Sequence, residues 1–165
     1  MVHGRDSLVE KKNSLAEKRE RLNFIIRAFQ FPEDYPEIYA LWQSAGPGIQ
    51  VRKSDEPDEI LKKLDRDPDL FLVAESENQI IGSVVGGFDG RRGMVYHLAV
   101  SDTFRQHGVG AALMAALEER LRNKGCIRYY LLVKRDNVSA IKFYENLGWQ
   151  SMDLNIFGKD IESRN

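Results

Sequence analysis

Cysteine is nearly missing. Cys126 stands alone among 165 residues, so the chain can form neither an internal disulfide nor a cysteine metal cluster. That usage is compatible with a reducing cytoplasm, which is the expected location. Histidine is scarce as well: the three at positions 3, 97 and 107 show no metal-ligand spacing, and no metal is expected. No apolar run is long enough to span a bilayer, and the N-terminus lacks the apolar core of a signal peptide. Charge of one sign is not in excess, because 24 Lys and Arg face 25 Asp and Glu for a formal net charge of -1. Whole-molecule electrostatics therefore argue for neither a nucleic acid nor a membrane as partner. What is present, 42% hydrophobic and 30% charged residues, is the balance of a soluble globular chain with the length of one domain.

Residues 1–21 are mostly polar and charged, with Leu8, Leu15 and Leu22 spaced every seven residues. Three leucines are too few heptads for a coiled coil. The segment is expected to be a charged helical or disordered extension, with docking onto a second subunit as a homodimer kept as the alternative. The rest, 22–165, reads as one domain with no internal repeat. A first strand is expected over 22–29. Pro32 and Pro36 bracket the start of a helix that carries Ile38, Leu41 and Trp42 on one side and ends near Ser44. A second helix is expected over 57–64, set among Asp55, Glu56, Asp58, Glu59, Asp65, Asp67 and Asp69. Solvated surface is the commoner fate of such an acidic run, and its first members complement the helix dipole.

Three strand-like runs follow, 70–75, 80–88 and 94–100, joined by turn signals at Asn78-Gln79 and Asp89-Gly90. Such short connections imply an antiparallel meander. Val109, Leu113, Leu117 and Leu121 then recur at four-residue spacing in an alanine-rich helix stopped by Gly125. Residues 128–134 read as a further strand, so the strand–helix–strand unit can pair its strands in parallel. A last helix is expected over 139–147, and 149–161 reads as one or two terminal strands.

The stretch with chemistry in it is Leu98-Ala-Val-Ser-Asp-Thr-Phe-Arg-Gln-His-Gly-Val-Gly-Ala-Ala-Leu-Met114, a strand end, a glycine loop and a helix start. A helix N-terminus has unpaired N–H groups and partial positive charge, which suits a phosphate. Gly110-Ala-Ala lacks the lysine and hydroxyl of a Walker loop, and the third glycine and later acidic residue of a dinucleotide fold are missing.

Arg105-Gln-His-Gly-Val-Gly110 after Leu98-Ala-Val100 resembles the coenzyme A pyrophosphate loop of the GNAT acetyltransferase superfamily. Asn137-Val-Ser-Ala-Ile-Lys-Phe-Tyr-Glu-Asn-Leu-Gly-Trp149 resembles that superfamily's second signature, in the expected order and with a helix and strand between. Phe71-Leu-Val-Ala-Glu75 and Gly86-Gly-Phe-Asp-Gly-Arg-Arg-Gly93 are similar to small bacterial acetyltransferases. The resemblance implies an α/β GNAT fold, a mixed, mostly antiparallel sheet of six to seven strands with about four helices and splayed central parallel strands. It implies acetyl transfer from acetyl-CoA to a small-molecule or peptide amine. A coenzyme A-binding module without catalysis is the alternative.

The resemblance also distributes roles. Leu98, Ala99 and Val100 would meet the pantetheine arm through backbone groups. Arg105, Gln106, His107, Gly108, Val109, Gly110 and Ala111 would hold the pyrophosphate, and Asn137 and Phe143 would complete the donor site. Tyr144 would be the general acid, since a phenol with an ordinary pKa near 10 keeps its proton at neutral pH. The general base is open between His97 and Glu75, with Asp89 and a water chain as further candidates. His97 has the opposite strand parity to Tyr96 unless a bulge re-aims it. Leu132 stands where relatives acting on protein N-termini carry a glutamate, and Met94 and Tyr96 stand at other base positions. The acidic run 55–59 lies between the first two helices, a region that walls the acceptor site in the family, and its charge would favour a cationic amine there. No serine or cysteine sits in a nucleophile motif, which favours direct attack in a ternary complex.

Overall fold

The computed structural model describes residues 22–161, so the expectation for the 1–21 extension lies outside the described residues. Those described fall into two compact units, one ending at Leu132 and one beginning at Val133.

In the first unit, strands β1 (Ile25–Ala28), β2 (Phe71–Ser76), β3 (Gln79–Phe88), β4 (Gly93–Val100) and β5 (Tyr129–Leu131) form one sheet in chain order. The first three pairings are antiparallel and β4–β5 is parallel. Tight turns impose the antiparallel part. Glu77 and Asn78 take positive φ between β2 and β3, one position ahead of the expected Asn78-Gln79 turn. Between β3 and β4, the Asp89 carboxylate accepts the N–H groups of Arg91 and Arg92 at 2.7 and 2.6 Å.

Helices cover both faces. Helix α1 (Tyr35–Ser44) and helix α2 (Pro57–Arg66), each with a proline in its first turn, lie over one face. Their Ile38, Leu41, Trp42 and Ile60 share a buried core with Phe71, Val73, Val85 and Ala99 of the sheet. The other face takes α3 (Val109–Asn123), whose Val109, Leu113, Leu117 and Leu121 are all 1% exposed or less. A Cβ at Gly86 would lie 2.5 Å from Leu117 Cδ1, so a bare glycine there lets α3 settle close onto β3.

The expected mixed sheet is present, with four α-helices, but five strands stand among the described residues where six to seven were expected. The shortfall is at the C-terminal end. In the second unit, α4 (Val138–Asn146) ends as expected near Gly148, but 149–161 carries no strand. Met152, Leu154 and Ile156 alternate as strand residues do, yet they are 47, 66 and 68% exposed. Alternation permits a strand, whereas a ladder partner makes one, and among the described residues the sheet consists of β1 to β5 alone. The strand expected over 128–134 is likewise only Tyr129–Leu131, ending where its ladder with β4 ends.

Candidate active site

Two features of β4 shape the site. The ladder with β5 stops at Val95–Leu131, so residues 96–100 run on past the last parallel pair. On its β3 side, Val84 pairs with Leu98 but Gly86 pairs with Val95, which leaves one extra residue in β4 at Tyr96 and His97. This is a β-bulge, and it overturns simple alternation. A Cβ at Gly87 would meet the Tyr96 ring at 3.2 Å, while His97 packs on Trp42 with ring centroids 4.7 Å apart. Gly87 and the Trp42 partner Ser83 sit at odd positions of one strand, so both β4 side chains point to the face covered by α1.

His97 meets a partner there. Its Nε2 lies 2.9 Å from Asp55 Oδ1, and the two side chains are 21 and 10% exposed. Asp55 closes a 3₁₀ turn (Lys53–Asp55) between α1 and α2, and its other oxygen accepts the Arg52 N–H at 2.8 Å. Tyr35 Oη donates to the Asp55 carbonyl at 3.0 Å, tying the turn to α1. Beside it, a cavity of about 460 Å³ is lined by Tyr35, Pro36, Tyr39, Ala40, Gln43, Glu56 and Pro57. Sequence reasoning placed Asp55 in an acidic run and missed its bond to a histidine 42 residues away. No spacing encodes that pairing, and nothing in the sequence singles out Asp55 from its acidic neighbours.

Glu75 is placed differently. Its carboxylate accepts Arg27 Nε–H at 2.7 Å, and the same guanidinium grips Asp34 at 2.6 and 2.9 Å. It is occupied in an ion-pair network across β1 and β2. Asp89 caps its own turn, as described above.

The loop after β4 enters α3 through a 3₁₀ turn (Asp102–Phe104) and two left-handed residues, Gln106 at φ 63° and Gly108 at φ 81°. Gly108 is the N-cap residue of α3 and brings no side chain to cap the helix. The early N–H groups, at Val109, Gly110 and Ala111, therefore face the loop mouth with no capping side chain from the N-cap residue. A Cβ built on Gly108 would meet nothing within 4 Å, so the ground above this N-terminus is open. Arg105 braces the loop: Nε–H donates to the Val100 carbonyl at 3.2 Å, and one amino group lies 2.8 Å from Asp102 Oδ1. His107 Nδ1–H donates to the Arg105 carbonyl at 2.8 Å. Leu98, Ala99 and Val100 lead into this loop from β4, Ala99 buried and the other two half-buried.

Asn137, Phe143 and Tyr144 belong to the second unit. Asn137 Oδ1 accepts the Ala140 N–H at 3.2 Å and the Ser139 hydroxyl at 3.1 Å, capping α4. The Tyr144 ring meets Phe143 and Trp149 edge-on at 5.1 and 5.9 Å. Burial pushes its phenol up to about 12.

A sheet whose parallel pair stops short ahead of a glycine-started helix fits what the resemblance to acetyltransferases implies. The comparisons agree: the Acetyltransferase (GNAT) family model matches residues 35–149, and the chain belongs to that family of acyltransferases. An acetyltransferase of Pectobacterium atrosepticum is 40% identical over 135 residues, 81% of this chain and 93% of the relative. Among solved structures, Ard1 from Thermoplasma volcanium is similar with a TM-score of 0.66 and 28% identity, over 76% of this chain and 81% of that one. AAC(6')-Iy, solved with the bisubstrate analogue CoA-S-monomethyl-acetylneamine, shares the fold at a TM-score of 0.67 and 21% identity, over 84% of this chain and 99% of its own.

Proposed function

We propose that the chain moves acetyl from acetyl-coenzyme A to a primary amine by direct attack in a ternary complex. The observation that carries this reading is the N-terminus of α3, whose N-cap Gly108 brings no capping side chain and leaves open ground above it. Aligned N–H groups at such a terminus suit the pyrophosphate. Gln106, His107, Gly108, Val109, Gly110 and Ala111 would cradle it through backbone groups. Arg105 would keep the loop in shape and lend positive charge. Residues 96–100 of β4, beyond the parallel ladder, would offer backbone groups to the pantetheine arm as a strand edge does. Asn137 and Phe143 would complete the donor site as the resemblance implies.

Acetyl-coenzyme A would supply the acyl thioester. His97 would take a proton from the acceptor ammonium, and the freed amine would attack the acetyl carbon. Tyr144 would give its proton to the departing sulfur, a role supported by a phenol that burial keeps protonated. An ammonium acceptor sheds two protons on becoming an amide; one replaces the proton given to sulfur and the other passes to solvent. His97 is preferred to Glu75 because Arg27 already engages that carboxylate. The acceptor would be a small-molecule or peptide amine. Glu56 and Asp58, at the start of α2, would add negative charge that favours a cationic acceptor.

The test is acetyl-coenzyme A turnover by the full chain with a panel of polyamines, amino sugars and short peptides, read by mass spectrometry. A mass gain of one acetyl group on an acceptor nitrogen is expected. Coenzyme A binding with no acetylated product from any acceptor would overturn the enzyme reading.

A further inference from the structure

We propose that Asp55 is a positioning residue for the transfer reaction, holding His97 in the tautomer whose Nδ1 receives the acceptor's proton. The inference rests on the acetyltransferase reading above and adds the residue and ring atom that carry the proton step.

The geometry leaves the ring little freedom. Asp55 is 7% exposed, and both of its oxygens are engaged, one by the Arg52 N–H at 2.8 Å and one by His97 Nε2 at 2.9 Å. An ionised carboxylate only accepts, so the proton of the second bond sits on Nε2. A neutral imidazole has one N–H, and Nδ1 then carries the lone pair. Trp42 fixes the ring from the side at 4.7 Å and 58°, and Trp42 is itself anchored by Nε1–H donation to Ser83 Oγ at 3.0 Å. The bulge in β4 supplies the aim, while Tyr35 and the 3₁₀ turn hold Asp55 from the opposite side. The His97 side chain is 21% exposed, so it is not sealed from solvent.

The proton step balances simply. An N–H bond of the acceptor ammonium breaks, its electron pair stays on nitrogen, and an N–H bond forms at Nδ1. The resulting imidazolium faces the Asp55 carboxylate, which stabilises the charge without taking the proton. A bond of this kind orients a base and selects its tautomer.

Asp55→Asn tests this with little change of shape. The asparagine oxygen can still accept the Arg52 N–H, but its NH₂ now faces Nε2 and donates, which moves the ring proton to Nδ1. The expected results are an Nε2–H tautomer for His97 in the unaltered chain by nitrogen-15 NMR and an Nδ1–H tautomer in D55N. In the same variant kcat falls by about 100-fold or more with KM nearly unchanged, as for a group acting only in the transition state. The thermal midpoint stays close to that of the parent chain. An Nδ1–H tautomer in the unaltered chain would overturn the proposal even if D55N fails to fold. Transfer that survives D55N undiminished would overturn the dyad alone, whereas absence of transfer from the unaltered chain would overturn the enzyme reading and the dyad's role with it.

Discussion

At the scale of single residues, the candidate chemistry is set by what each side chain is already bound to. Glu75 and His97 are both titratable and both on the sheet, yet one is engaged by Arg27 and the other by a carboxylate that can orient it. Tyr144 is the residue whose environment speaks most directly to a role. Its phenol loses a proton only near pH 12, because burial disfavours the phenolate. The acid form therefore persists throughout the working range. Tyr144→Phe should lower kcat by about 100-fold, and the parent's rate should show no Tyr144-dependent fall between about pH 8 and 10. Steady-state rates of both proteins over that range check this; an alkaline limb near pH 10 that vanishes in Y144F would contradict it.

At the scale of elements, position follows from periodicity and from glycine. The α3 stripe of Val109, Leu113, Leu117 and Leu121 was legible because four-residue spacing puts all four on one face, and all four are buried. The N-terminus of α3 lands at the mouth of the loop because Gly86 lets the helix approach β3. Gly86→Ala would force a methyl into fully buried Leu117 and should cost about 1–3 kcal/mol. A urea titration measures the loss, and an unchanged midpoint would show that the helix can yield. The bulge in β4 was not legible in the same way. Tyr96 and His97 are ordinary strand residues, and only the pairing with β3 reveals that β4 has one residue too many. The terminal strands failed for a related reason: pairing partners are a property of the sheet, not of the 149–161 pattern.

At the scale of the whole molecule, the described residues of the first unit join a five-stranded sheet to helices on both faces, and a charge network pins β1 to it. Arg27 links Asp34, before α1, with Glu75 on β2. Burial works against a charged Asp34, but the two Arg27 bonds and the Gln30 N–H outweigh it and hold the carboxyl below the usual range. Its stabilising effect is therefore present above the ordinary carboxylate pKa and is lost as pH falls through the lowered one. Asp34→Asn should destabilise the chain by about 1–3 kcal/mol at pH 7, with the gap closing below about pH 4. Urea midpoints of both proteins across pH decide it; a gap that persists unchanged into acid would contradict the pairing. The α/β class and the glycine turn into α3 were legible because each is written in contiguous residues, such as Arg105-Gln-His-Gly-Val-Gly110. Asp55, which meets His97 across 42 residues, was visible only once the sheet had brought the two together.

The central claim is that the loop from Gln106 to Ala111 binds a pyrophosphate, and calorimetric titration of the full chain with coenzyme A and with pantetheine tests it most directly. Pantetheine keeps the thiol arm and lacks the pyrophosphate. The expected result is one coenzyme A site, pantetheine weaker by about 100-fold or more, and Gly108→Val removing most of that difference. Equal affinities for the two ligands, or coenzyme A binding untouched by G108V, would contradict it.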